Sequence, residues 1–319
     1  MSIQFKFGEP VRVRTQRWLL ATSCLLFSLF ASASGTSERG IVRPNPPGDR
    51  YEHSIALRLP YGDGPAAVKF LPDGDDERAR GPVSFAIEGN SILILDSEHG
   101  RILDFDRNGS LVRSIADVQG HDIATDSSAI FVLDATTETV TRIALDGTRS
   151  TVQGLPSDVI RLATTHGTVG YEHEGRFVSL PHKADFEVQE GTVSPSDVDI
   201  NGYDYRDIDT FTGTIRNKKT GLTLTIRTKM PLGSMNVIGS DNAENTFVAV
   251  EQLFDDGAGT GVAKEIRKFA PDGRLRVVIP INIDYAAHPV REFVVTPDGS
   301  LYHLLPLPTV LLVEEWHEQ

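Results

Sequence analysis

Between Gly81 and Pro156 one unit of sequence occurs twice, end to end. The first copy reads Pro82 to Ile87, Ile92 to Asp96, Arg101 to Phe105 and then Asn108-Gly109. The second reads His121 to Ala124, Ile130 to Asp134, Thr139 to Ile143 and then Asp146-Gly147. Phe85 and Ile123, Asp96 and Asp134, Phe105 and Ile143, and Gly109 and Gly147 are each 38 residues apart. A fixed period between roughly 20 and 50 residues marks a repeat architecture, in which each unit buries its apolar face against the next. The apolar runs are short and stop at turn residues, as strands do. Ile92-Leu93-Ile94-Leu95 is apolar on both faces, which predicts a strand buried between neighbouring sheets. Asn108-Gly109 and Asp146-Gly147 predict hairpin turns with positive φ at both central residues.

Fainter copies follow. The third runs from Leu162-Ala163-Thr164 to Glu172 through His166-Gly167. The fourth has Val198 and Ile200, the turn Asn201-Gly202, Tyr203 to Asp209, Gly213 to Ile215 and Leu222 to Ile226. The fifth has Asn236 to Ile238, Phe247 to Glu251, and Glu265 to Phe269 before Asp272-Gly273. The sixth has Glu292 to Val295, Asp298-Gly299, Leu301 to Leu304 and Thr309 to Glu314, and ends one strand short. The segment His53 to Leu59 alternates, with Ile55, Leu57 and Leu59 on one side, and is the spare strand that would complete this last unit. The expected fold is all-β: a β-propeller of six blades, each of four antiparallel strands, closed by an N-terminal strand. Gly257-Ala258-Gly259-Thr260-Gly261 lacks the following helix that a phosphate cradle needs, and reads as an enlarged loop.

The stretch Pro82 to Val112 resembles the NHL-repeat family of propellers. The resemblance is carried by Pro82, Phe85, Ala86, Ile87, Ile92, Ile94, Asp96, Arg101, Ile102, Phe105, Asn108 and Gly109. It is fair over 121–150 and 292–304 and poor over 157–230. The family usually has Asn before the Arg, where this chain has Gly100. The resemblance implies six blades and a binding platform. Some related six-bladed propellers are metal-dependent lactonases or lyases, but no catalytic motif of those enzymes carries over onto this sequence.

Arg12, Arg14 and Arg17 precede the apolar run Trp18 to Phe30, and Ala31-Ser32-Ala33 follows. This order of basic, apolar and small residues is that of a secretory signal. The expected organisation is a signal peptide over 1–33, a disordered linker over 34–50 and the propeller over 51–319, in a secreted, periplasmic or cell-envelope protein. The membrane enters only if the N-terminal segment stays uncleaved. Cys24 is the only cysteine, so no intramolecular disulfide forms. The chain has 31 basic and 44 acidic side chains; without residues 1–33 the balance is 27 to 43. That charge repels phosphate backbones and argues against nucleic acid as a partner. A monomer that binds a protein or a small extracellular ligand is expected.

In a propeller the innermost strand of each blade lines the central channel. The residue before its first buried apolar side chain is, in successive units, Ser84, Asp122, Arg161, Asp197, Asn236 and Glu292. This ring either holds a metal or polar ligand, with His121 beside it, or lines a water-filled mouth. Asp197, Asp199 and Asn201 match the front of a calcium loop, with Gly202 at the turn, but position 12 is Ile208. No cofactor is expected unless a divalent cation such as calcium binds there or at the ring. Gly-x-Ser-x-Gly and His-Glu-x-x-His are absent. The expected function is a non-enzymatic, exported binding platform; the alternative is a metal-dependent hydrolase of the lactonase kind working at the channel.

Overall fold

A strand like Ile92 to Leu95 must cover both of its faces, and stacked sheets do this by placing an apolar neighbour on each side. The computed structural model describes residues 51–74, 78–165, 168–173, 176–180, 202–255, 257 and 259–319. The expected signal peptide and linker lie outside the described residues. Strand β1 (Tyr51–Pro60) comes first. Blade 1 is β2 (Ser84–Glu88), β3 (Ser91–Asp96), β4 (Arg101–Asp106) and β5 (Leu111–Ala116). Blade 2 is β6 (Asp122–Asp126), β7 (Ala129–Asp134), β8 (Thr139–Ala144) and β9 (Arg149–Gln153). Blade 3 shows β10 (Leu162–Thr165), β11 (Thr168–His173) and β12 (Arg176–Ser179), and blade 4 shows β13 (Tyr203–Asp209), β14 (Thr212–Asn217) and β15 (Thr223–Arg227). Blade 5 is β16 (Leu232–Ser240), β17 (Thr246–Asp255), β18 (Thr260–Phe269) and β19 (Leu275–Ile281). Blade 6 is β20 (Phe293–Val295), β21 (Leu301–Pro306) and β22 (Val310–Glu318), with β1 paired to β22 from Tyr51↔Glu318 to Pro60↔Val310. The fold is an all-β, six-bladed propeller of antiparallel sheets; among the described residues blades 3 and 4 show three strands each. The one helical turn described is Ser97–His99.

The core lies between blades. Phe85, Ile94 and Phe105 of blade 1 pack with Tyr302, Leu304 and Val313 of blade 6. Leu95 and Ile102 meet Ile123 and Val132 of blade 2. Phe131 and Leu133 meet Leu162 and Val169 of blade 3. Ile215 and Leu224 of blade 4 meet Val248 and Val250 of blade 5, and Phe247 and Ile266 of blade 5 meet Phe293 and Trp316 of blade 6. Buried Asp96 accepts hydrogen bonds from the Lys69 amide (3.1 Å) and Arg101 Nε (3.0 Å), with His99 Nδ1 at 2.7 Å. This pins the loop after β1 to blade 1, and it explains the Asp and Arg of the repeat unit in packing terms.

Three sequence expectations change. In the Asn108-Gly109 and Asp146-Gly147 turns only the glycines take positive φ, 77° and 85°. Gly109 N donates to Asp106 O and Asp106 N to Ser110 O, and Ala144, Gly147 and Thr148 repeat the pattern. This is a type I turn ending in a left-handed glycine. Aspartate side chains hold it: Asp106 Oδ1 accepts from the Asn108 and Ser110 amides at 2.9 Å, and Asp146 Oδ1 from the Thr148 amide at 2.9 Å. In β1 the register shifts between Ile55 and Leu57, so Leu57 and Leu59 are buried while Ile55 is 46% exposed. The extra residue, Ala56, reverses the alternation. Finally, β17 and β18 pair out to Asp255↔Thr260, so Gly261 belongs to a strand and not to a loop. The Phe254 ring opposite fills the space that a Cβ on Gly261 would need.

Candidate functional site

The first residues of the innermost strands β2, β6 and β10 (Ser84, Asp122 and Leu162) interact directly, together with Arg291 just before β20. Ser84 and Asp122, one repeat apart, are both fully buried. Ser84 Oγ donates to Asp122 Oδ1 at 2.5 Å and accepts from the Ile123 amide at 3.1 Å. The Leu162 amide donates to Asp122 Oδ2 at 2.7 Å. Arg291 completes the knot, with Nε 3.0 Å from Oδ1 and Nη2 2.6 Å from Oδ2, and Nη2 also reaches Leu162 O at 2.7 Å. A bidentate guanidinium–carboxylate pair is among the strongest hydrogen-bonded arrangements available to side chains. The Val290 and Arg291 amides both donate to Val83 O (2.6 and 3.1 Å), which places the guanidinium. One carboxylate thus joins blades 1, 2, 3 and 6.

Glu292, the next residue, enters a second group between blades 5 and 6. Lys264 Nζ donates to both Glu292 oxygens, at 3.0 and 2.8 Å, and lies 2.9 Å from Glu251 Oε1. Ser234 Oγ donates to Glu251 Oε2 at 2.8 Å. The Tyr285 hydroxyl makes a very short hydrogen bond to Glu292 Oε1 and stands 2.9 Å from His303 Nε2. His303 Nδ1 is 3.0 Å from Glu314 Oε2, and His53 Nε2 is 3.2 Å from Glu314 Oε1. The Phe293 and His303 rings stack at 4.9 Å. A continuous polar chain therefore runs from the mouth through the blade 5–blade 6 interface to half-exposed His53.

Its electrostatics follow from burial and pairing. Burial, reinforced by the Glu292 charge, raises the Tyr285 pKa far above the ordinary phenol value, so Tyr285 stays a donor. Burial alone would depress Lys264, but its bonds to Glu292 and Glu251 raise it. Burial alone would raise Glu314 and Glu251. His303 and His53 hold Glu314 below its ordinary value, and Lys264 and Ser234 do the same for Glu251. A carboxylate with a depressed folded pKa adds stability above its unfolded pKa, and that stability is lost as pH falls through the folded value. The melting temperature is expected to fall from about pH 5 to pH 3. The slope should be shallower in Glu314→Gln, read by differential scanning calorimetry across that range.

The sequence-derived candidates divide. Ser84, Asp122 and Glu292 are brought into the two groups at the mouth. His121 is exposed, with its ring turned to the Ala135 amide (3.3 Å) and Asp134 Oδ1 (3.4 Å). Arg161, just before β10, is exposed, and so is Asn236, which is the fifth residue of β16 and follows buried Met235 instead of opening the strand. Asp197, Asp199 and Asn201 lie outside the described residues. Among the described residues no group of three or more His, Asp or Glu side chains is placed to hold a metal ion.

Sequence reasoning missed Arg291, Lys264, Tyr285, His303 and Glu314. A signal existed for two of them. Cross-strand neighbours Phe85, Ile94 and Leu103 of blade 1 are all apolar, whereas the same rung of blade 6 is Phe293, His303 and Glu314. A histidine and a carboxylate at positions the repeat reserves for packing mark a departure from the core pattern.

No protein-family model matches the chain. A comparison with curated proteins also finds no match. Among solved structures the chain is similar to virginiamycin B lyase from Staphylococcus aureus, with a TM-score of 0.42 and 8% identity, over 84% of this chain and 99% of that one. It is similar to BamB from Moraxella catarrhalis, with a TM-score of 0.34 and 14% identity, over 86% and 98% of the two chains. It is similar to Hsv2 from Kluyveromyces lactis, with a TM-score of 0.41 and 12% identity, over 70% and 71%. At these values the likenesses carry no argument about function, and the architecture rests on the chain's own strand order.

Proposed function

We propose that this chain is an exported, NHL-like, non-enzymatic propeller that serves as a binding platform for a protein or a small extracellular ligand at the channel mouth. The observation that carries this reading is the self-neutralisation of the mouth. Asp122 is taken up by Arg291, Ser84 and the Leu162 amide, and Glu292 by Lys264 and Tyr285. Carboxylates committed in this way hold blades together; they do not present an open base to activate water. Export is supported by the basic, apolar and small-residue order ending at Ala33. The second reading, a metal-dependent hydrolase using calcium or another divalent cation, draws on the spacing of Asp197, Asp199 and Asn201 in the sequence.

The test uses the full-length chain exported by living cells. A photo-crosslinking side chain is placed at Arg161 or Asn236, both exposed on or beside inner strands. In parallel it is placed at Val112 or Leu145, which are 61% and 65% exposed elsewhere. Discrete adducts from the first pair only, on a mature chain lacking residues 1–33, are expected. Equal labelling from both pairs would overturn the mouth as the binding surface. A melting temperature that rises with calcium and falls back with EDTA would favour the hydrolase.

A further inference from the structure

The protons available along the Glu251–His53 chain can be counted. Lys264 donates to both oxygens of Glu292, so Glu292 is an anion and brings no proton to its contact with Tyr285. The single phenol proton therefore lies in the short Tyr285–Glu292 bond. His303 Nε2, 2.9 Å from the same phenol oxygen, can bond to it only as an N–H donor. His303 Nδ1 faces a carboxylate oxygen at 3.0 Å, and it too must be an N–H. Both bonds hold together only when the ring carries two protons. That ring is fully buried, and a buried cation persists only where it is paired and hydrogen-bonded. Here Glu314 supplies the countercharge.

We propose that His303 is the loaded element of a pH-sensitive latch, which keeps the 282–292 segment docked on blade 6 while the imidazole is doubly protonated and frees it when one proton leaves. The groups facing His303 come from every packed element. Glu314 is on β22, and His53 on β1 reaches it through Glu314. Tyr285 and Glu292 are on the segment itself, Lys264 and Glu251 on β18 and β17 reach it through Glu292, and the His288 ring lies 5.9 Å from Tyr285. When His303 loses a proton it keeps only one donor. With Nδ1–H held by Glu314, Nε2 turns to the phenol oxygen as an acceptor, and Tyr285 has one proton for two acceptors. The clamp on Tyr285 then weakens. The segment it holds delivers Arg291 to Asp122 and Glu292 to Lys264, so loosening it loosens the channel mouth. The sign is fixed: the docked state binds the extra proton, so docking is favoured at lower pH and lost as pH rises. The carboxylates set the opposite limit in acid, which makes the latch firm only within a window.

The experiment has two readouts on the full propeller over about pH 5–9. Histidine nitrogen NMR should find His303 with both ring nitrogens protonated at the low end, changing to a single tautomer as pH rises. Amide exchange of the 282–292 segment, corrected for intrinsic base catalysis, should quicken over the same interval by up to about tenfold per pH unit, the linkage for one released proton. Tyr285→Phe keeps the ring and removes the hydroxyl, and His303→Gln removes the titration; both should abolish the pH step. If His303→Gln does not fold, Tyr285→Phe still decides. A single tautomer throughout, or a step that survives in Tyr285→Phe, overturns the proposal.

Discussion

Replacing Asp122 with alanine is expected to lower the unfolding free energy by roughly 3–5 kcal/mol, the range for removing one partner of a buried ion pair. The reason is what remains. Arg291 keeps a guanidinium that is only 16% exposed and has lost both of its carboxylate bonds. The Ser84 hydroxyl and the Leu162 amide lose their acceptor in a site closed to water. Each buried group left unpaired costs about 1–3 kcal/mol. Urea unfolding followed by circular dichroism measures the loss, as a lower midpoint with an unchanged slope. Arg291→Met should also destabilise, but the double variant should lose less than the sum of the two, because removing both charges leaves nothing stranded. A loss below about 1 kcal/mol for Asp122→Ala would mean that water replaces the knot at little cost.

Lys268→Ala should have an effect of similar size for a related reason. Lys268 is 1% exposed, yet its ammonium lies 2.8 Å from Glu318 Oε2, 3.0 Å from the Tyr51 hydroxyl and 3.4 Å from Asp241 Oδ2. The rings of Phe247 and Tyr51 flank it at 5.3 and 5.4 Å. It ties β18 of blade 5 to both β1 and β22 of blade 6. Burial alone would lower its pKa, but Glu318 and Tyr51 raise it. The folded form therefore holds the charge below the ordinary lysine value of 10.5, and the contribution is lost only as pH rises past the folded pKa. Truncation to alanine removes both the charge and the aliphatic stem, for an expected loss of roughly 3–5 kcal/mol. Lys268→Met keeps the stem and should recover part of it. The local reading is amide exchange at Tyr51 to Ser54, which should quicken in the alanine variant as the start of β1 frays. Unchanged exchange there would show that the β1–β22 ladder suffices by itself.

Much of the fold could be read from the chain because the relevant information is local and repeated. The three inner strands of blade 1 were legible one by one, since Phe85, Ile94 and Phe105 follow one short pattern that recurs 38 residues later. The turns were legible in place but not in type. Asn108-Gly109 looks like a two-residue hairpin turn until the Asp106 carboxylate is seen accepting two backbone amides, which fixes a longer turn. The exposure of Ile55 was not legible, because a bulge at Ala56 reverses a perfect alternation and no residue there announces it. Of the site, Ser84, Asp122 and Glu292 could be found by counting along the repeat. Lys264 and Tyr285 could not, since neither breaks a local pattern.

The sequence alone was enough for the period, the number of units and the starts of the innermost strands β2 and β6 at Ser84 and Asp122. All of these are set by spacing along a covalent chain. Tertiary structure decided what those side chains do. Asp122 looks like an open ligand until Arg291, 169 residues away, is found holding both of its oxygens. His303 looks like one polar residue in an apolar strand until Glu314 and Tyr285 are found on its two nitrogens. The physical reason is the same in both cases. Whether a charge is free or committed depends on its nearest neighbours and its access to water, and in a ring of blades those neighbours come from units far apart in the chain.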